Sequence, residues 1–507
     1  MRQSAWRKIT RDLTLDDDSV EMLFDLPALF LLVGLVGWAA LSWRKRSTDP
    51  YAPLPIIGHL HHFLGQPKYR YMQWYLRRAE HEGAGKTFEV FLPGLGRCVF
   101  ITDPQCLKHV LTIKGKEFTK TGVFAKLRKD FYGTGILLAV GESWRAQRHA
   151  GQVFASQSTI ENVANILLPQ DLQRMFAAFD QAAAEDKVLD FWALAAELTL
   201  AVFGKVALDV DSDRFLAMVA QPFDHALQGI SRRFTNPLWK LAETLTPEGR
   251  SVRHDIKAVR AICRAFVQET VEELGNEQVG EKAVHEGRAL FIRALMDSTK
   301  PMTLDELADS CTVFIIAGRE TTADAMTWTM YALLQHPTSL EKVVNEFREL
   351  PDMPNAEVLS HLPFFNAVIN EALRLYPPVP TEMVENTSPH PNMLPDGTLV
   401  RPGDLVLFSP WVMARLKDRW GPDASVFRPE RWFEMKHKPS AYELPTFYAG
   451  PRSCVGQTLA KVEMAVMFKE LFARYDVERG WDGSERVMGE GLTCPMKGGL
   501  PIKVSRR

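Results

Sequence analysis

From about Gly141 to Arg348 apolar residues recur every three to four positions, the spacing of helices that bury one face. Breaks in this pattern fall at Pro222, Asn236-Pro237 and Pro247-Glu248-Gly249. The longest uninterrupted helical stretch runs from Thr303 to Leu334, opened by a Thr303/Glu306 capping box and closed before Pro337. It would span roughly 48 Å, the width of a whole domain. Upstream, Thr87 to Leu92 and Arg97 to Thr102 flank Pro93-Gly94-Leu95-Gly96 as a β-hairpin, and Asp103-Pro104 opens a helix. Beyond Pro377 the pattern changes to short strands, Pro-rich turns and an irregular meander. By length the chain could make three domains, but it contains no internal repeat or Gly/Ser linker to divide it.

A different pattern precedes it. Leu26 to Trp43 is uncharged and apolar, long enough to cross a thin bilayer, and Arg44, Lys45 and Arg46 follow at once. The run starts late for a cleaved signal and lacks a small-x-small cleavage site. The expected organisation is a lumenal segment 1–25, a single-pass transmembrane anchor 26–43, a basic and proline-rich hinge 44–58 containing Pro50, Pro53, Pro55 and Gly58, and a catalytic domain 59–507. Arg2, Arg7, Lys8 and Arg11 compete with the juxtamembrane cluster from a greater distance and amid acidic residues, so proximity favours a cytosolic C-terminal side but charge alone does not decide it. Asn386-Thr387-Ser388 is a glycosylation sequon that a cytosolic domain would leave unused.

Composition adds exclusions. A net charge of −2 and a pI near 6.7 give no drive toward nucleic acid. The six cysteines show no C-x-x-C pair, which suggests a reducing compartment with five of them filling space. The sixth, Cys454, lies in Phe447-Tyr-Ala-Gly-Pro-Arg-Ser-Cys-Val-Gly456, just ahead of a helical stretch from Gln457 to Ala473. A helix N-terminus favours thiolate over thiol, and a thiolate is a metal ligand.

This loop, through Phe447, Gly450, Arg452, Cys454 and Gly456, resembles the haem-binding loop of the cytochrome P-450 superfamily, the haem-thiolate monooxygenases. Three further motifs carry the same resemblance. Ala317-Gly318-Arg319-Glu320-Thr321-Thr322 is similar to the oxygen-activation motif, Glu371-Ala-Leu-Arg374 to the E-x-x-R motif with Arg431 in the following meander, and Trp144-x-x-x-Arg148 to the W-x-x-x-R motif.

The resemblance implies the P-450 fold, one large, mainly α catalytic domain with a small β lobe, and a haem ligated by Cys454. It implies that Arg452, Arg148 and Trp144 reach the propionates and that Gly318 opens room for dioxygen. Thr321 and Glu320 would form a general-acid chain in which Glu320 relays protons from solvent. Glu371, Arg374 and Arg431 would hold the cysteine loop in place. Animal fatty-acid hydroxylases often carry Glu where Ala317 stands, used to esterify the porphyrin, so the haem is expected to be noncovalent. The chain has no FMN, FAD or NAD fingerprint after a strand, so electrons are expected from a separate NADPH-dependent cytochrome P-450 reductase of the endoplasmic reticulum, with cytochrome b5 as an accessory donor. Arg145 and Lys461 are candidate docking cations for it.

The nearest likeness is to the fungal and plant alkane and fatty-acid ω-hydroxylase branch, carried also by Phe408-Ser-Pro-Trp-Val-Met-Ala-Arg415. That implies hydroxylation of a fatty acid or other aliphatic chain. Tailoring of a fungal polyketide or terpenoid is the alternative within the class. A reductase-independent isomerase or dehydratase, and a noncatalytic haem protein, stand outside it. Expected pocket walls are Phe124 to Leu137, Ala317, Thr321, Val379 to Thr381, and Thr493-Cys494.

Overall fold

The computed structural model describes residues 49–507 except 64–65, 84, 209, 211, 235, 277–288 and 299. The expected anchor 26–43 and its lumenal flank lie outside these residues. The chain divides into two units at Gly58, and the second, His59–Arg507, holds all that follows.

Its longer helices are α1 (Lys68–Glu82), α2 (Val123–Tyr132), α3 (Gly141–Phe154), α4 (Leu168–Glu185), α5 (Phe191–Leu208), α6 (Ser212–Arg232), α7 (Pro247–Asn276), α8 (Leu304–Gln335), α9 (Pro337–Arg348), α10 (Pro363–Leu375) and α11 (Gln457–Arg474). Strands β1 (Phe88–Leu92), β2 (Gly96–Phe100) and β3 (Phe118–Thr119) precede β4 (Leu189–Asp190), β5 (Glu382–Asn386), β6 (Asn392–Met393), β7 (Leu399–Val400), β8 (Leu405–Phe408), β9 (Tyr475–Arg479) and β10 (Pro501–Arg506).

The expected hairpin forms with Phe88 opposite Phe100 and Leu92 opposite Gly96. It joins a five-stranded sheet in the order β1-β2-β8-β5-β3, so residues more than 280 positions downstream complete the lobe that the hairpin begins. Asp103 caps the next helix, accepting from the N–H groups of Gln105 at 2.7 Å and Cys106 at 2.9 Å. The sequon is consumed internally. Asn386 is fully buried, and its Nδ2 donates to the carbonyls of Val400 and His390.

Helix α8 is the axis of the domain. Thr303 and Glu306 form the anticipated capping box, and nearly every side chain after Glu306 is buried. Helix α5 lies along it. Its 18 residues are apolar apart from Glu197, Thr199 and Lys205, with mean hydropathy 1.6, and 72% of it is covered by protein; it is the only helix among the described residues long and apolar enough to cross a membrane. Such burial is that of a core helix. The expected break at Pro222 is corrected: α6 runs through it. One lost backbone hydrogen bond is outweighed by the apolar face of Phe215, Val219, Phe223, Leu227 and Ile230, and Gly229 lets Val252 of α7 approach.

Candidate active site

The Phe447–Gly456 segment wraps into a tight loop that the backbone closes on itself. The Cys454 N–H donates to the Phe447 carbonyl at 2.8 Å, and the Ser453 N–H to the Gly450 carbonyl at 3.0 Å. Gly450 has φ +70, and a Cβ there would lie 2.5 Å from Thr112 Oγ1 and 2.9 Å from the Leu111 carbonyl. Its glycine is therefore required by the neighbouring segment and by the left-handed turn. Gly456 is different: a Cβ there would meet only Cys454 Sγ, at 4.0 Å, so its bare side leaves space beside the sulfur.

Cys454 is the one exposed cysteine of the six, and it lines a cavity in the protein. The other five are buried and face no chemistry of this kind. The expectation that the helix N-terminus would leave the thiol acidic is corrected. Burial raises the Cys454 thiol above its ordinary value, while the Gly456 N–H and the Arg148 cation pull it down without overcoming desolvation.

Across the cavity stands α8. In a helix otherwise almost wholly buried, Ala317 is exposed and Thr321 half-exposed, one turn apart on the face that looks into the space above Cys454. Thr321 Oγ1 donates to the Ala317 carbonyl at 2.5 Å, which leaves its lone pairs free to accept. Gly318 borders the cavity, but a Cβ at this position would lie 2.0 Å from the Phe203 ring of α5. Close helix packing therefore demands this glycine, in addition to the room for dioxygen that the resemblance implies.

Glu320 points elsewhere than anticipated. It is 5% exposed and does not border the cavity. Arg319 Nη1 donates to it at 2.5 Å, and Thr493 Oγ1 lies 3.4 Å away. Burial raises its pKa, and Asp324, one turn on, is raised to about 7 by burial and by the Glu320 charge. Asp324 accepts from Trp192 Nε1 at 2.8 Å and the Cys494 N–H at 3.0 Å. Glu320 therefore meets solvent only indirectly: Arg319 also pairs with Asp224, whose side chain is 35% exposed. Thr493 and Cys494, expected in the pocket wall, belong to this acidic cluster.

The rim is cationic. Trp144 and Arg148 face the cavity from one side of α3, and Arg452 stacks 5.0 Å from the Trp144 ring. Arg148 donates to the Ser453 carbonyl and Arg452 to the Ala139 carbonyl at 2.8 Å. Neither guanidinium has a carboxylate partner among the described residues. Lys120, which the sequence reading missed, faces the same cavity and pairs with Glu382 at 2.6 Å. Nothing local marks Lys120; only its tertiary position does. Lys461, a candidate docking cation, turns inward to Asn370 at 2.7 Å, and burial lowers it to about 8. A sulfur on one wall, a small-residue helix face on the other and unpaired cations at the edge fit a flat, dianionic, thiolate-bound group.

Behind the loop, Glu371 accepts five hydrogen bonds: from Arg374 Nε and Nη2 at 2.9 and 2.8 Å, Arg431 Nε at 2.8 Å, the Arg428 N–H at 2.9 Å and Trp432 Nε1 at 3.1 Å. Arg374 extends to the Ala414 and Ala424 carbonyls, both at 2.6 Å. All three charged residues are buried, so the network ties α10 to the meander with each donor and acceptor satisfied. The structure brings Glu371, Arg374 and Arg431 together as the motif implies.

Known proteins agree with this architecture. The family described as Cytochrome P450 matches residues 49–499. "Cytochrome P450 monooxygenase cyp1" of Mycosarcoma maydis is 30% identical, over 95% of this chain and 80% of that protein. "Cytochrome P450 94B1" of Arabidopsis thaliana is 29% identical over 94% and 96% of the two chains, and "Cytochrome P450 94A1" of Vicia sativa 27% over 82% of each. With the cysteine loop, the axial helix and the buried Glu–Arg network all in place, the chain belongs to the cytochrome P450 family and is a haem-thiolate monooxygenase.

Proposed function

We propose that Cys454 is the axial ligand of a noncovalently held haem and that the enzyme hydroxylates an unactivated C–H bond of an aliphatic chain, a fatty acid foremost. One observation carries this reading: the only cysteine that opens into a cavity does so opposite Ala317 and Thr321, between walls of Ile136, Leu137, Phe203 and Val379. When bound, the haem supplies dioxygen activation and insertion of one oxygen atom.

The chain's own residues prepare that chemistry. Arg148, Arg452 and Lys120 hold the propionates at the rim, and Ala317 offers no carboxyl for an ester link. Glu371, Arg374 and Arg431 fix the loop that carries the sulfur. The apolar walls exclude water and hold a chain by burial. Thr321 presents its hydroxyl to the reacting space and would pass the proton there; Glu320 would be the buried acid behind it, while Arg319, which stays charged, holds Glu320 beside the partly exposed Asp224 without itself carrying a proton. Residues 26–43 anchor the protein to the endoplasmic reticulum membrane with this domain in the cytosol, where an NADPH-dependent reductase, assisted by cytochrome b5, supplies electrons.

The test is reductase-dependent turnover against fatty acids of graded chain length, with product position read by mass spectrometry. Hydroxylation at or near the chain terminus supports the reading. No turnover of any chain by an enzyme with an intact thiolate spectrum would overturn the substrate class.

A further inference from the structure

A second cavity lies beside the first, walled by α1, α2, Phe234 and the segment Pro380–Met383. The two share a partition. Pro378 and Val379 face the cavity over Cys454, Pro380 and Thr381 face the second, and Glu382 borders both.

Arg128 of α2 enters this second cavity. It is 7% exposed, with its guanidinium 4.1 Å from the Phe124 ring centroid and 5.2 Å from that of Phe234. The Tyr132 phenol contacts it, yet Nη1 has no hydrogen-bond partner among the described residues. The nearest acid, Glu382, is committed to Lys120 at 2.6 Å. Arg233, equally buried, shows the ordinary solution: Asp130 at 2.7 Å and Glu243 at 2.6 Å neutralise it. Lys68 also meets the second cavity, with the Gly491 and Thr493 carbonyls on its Nζ and Glu490 accepting from its backbone N–H at 3.2 Å. A buried cation without a counter-ion is costly. Arg128, unpartnered at Nη1 and set at an apolar cavity, describes a site for an anion with an apolar tail.

We propose that Arg128 binds the carboxylate of the aliphatic substrate, with the chain passing the Pro378–Glu382 partition into the cavity over Cys454. The inference rests on the aliphatic-chain reading above and sharpens it. The head is held away from the reacting sulfur side, so oxidation falls at the far end of the chain. Arg128 is a specificity residue, and it replaces two lost water contacts of the carboxylate with charge-assisted hydrogen bonds.

The test compares dodecanoic acid with its methyl ester on the haem-loaded full chain, each titrated by its effect on the haem absorption spectrum. The wild type is expected to bind the acid about tenfold to hundredfold more tightly than the ester. Arg128→Gln is expected to lose that preference while keeping its ester affinity, and to spread hydroxylation away from the terminus. Arg128→Lys keeps the charge and is expected to retain part of the preference, which decides the matter should Arg128→Gln fail to load haem. Retention of the full acid preference in either variant, or equal binding of acid and ester by the wild type, overturns the anchor and leaves the aliphatic reading standing. Binding of neither molecule overturns both.

Discussion

Individual side chains do their work here by the surfaces they are denied as much as by the contacts they make. Thr321 keeps its hydroxyl at the cavity by donating to Ala317, whereas Glu320, its neighbour in sequence, is turned into a buried acidic cluster with Asp324. Of this pair only Thr321 reaches the cavity, so the proposed proton path has to end at its hydroxyl. Thr321→Ala is expected to cut product per NADPH by about tenfold or more and to release the balance as peroxide. Measured together, NADPH, peroxide and product settle it: unchanged coupling would remove Thr321 from the proton path. Thr321 and Glu320 were legible as a pair because their chemistry needs adjacent residues of fixed type. Their opposite orientations were not, since helix rotation against α5 is decided by packing.

Between elements, the tightest constraint is the α5–α8 crossing. Gly318→Ala would place a methyl 2.0 Å from the Phe203 ring, so the helices must separate or the ring must leave its rotamer. Such overpacking costs about 1–3 kcal/mol, and Phe203→Leu in the same chain is expected to recover part of it. Thermal unfolding of the single and double variants measures this; additive losses would show that the two residues do not meet. Helix α11 carries a different tension. Glu463 is buried, both its oxygens lack partners among the described residues, and burial alone raises it to about 8. The folded chain thus holds a proton that the unfolded chain releases near pH 4.3, about its ordinary pKa. Stability from this group is full below that value, falls as pH rises and levels above about 8. Glu463→Gln is expected to remove the slope and to gain on the wild type by roughly a few kcal/mol between about pH 5 and about pH 9. A stability difference that does not change with pH would contradict this. The hairpin, the capping box and the axial helix were readable because their signals are local. The run of α6 through Pro222 was not, because the face that rescues it packs on a helix tens of residues away.

For the molecule as a whole, the mainly α domain and its β lobe followed from periodicity, and the site from four short motifs. What the sequence concealed is of one kind: Lys120, Arg128 and the acidic cluster around Asp324 owe their roles to partners brought near, or withheld, by the tertiary fold. The same arithmetic of partners singles out Cys454. Five cysteines are sealed in the core, and one opens into a cavity edged by cations. The decisive measurement is the carbon monoxide difference spectrum of the reduced protein, wild type beside Cys454→Ala. The wild type should show the thiolate-type band and the variant should lose it entirely, whether or not haem remains bound. A thiolate-type band surviving in Cys454→Ala would contradict the site described above.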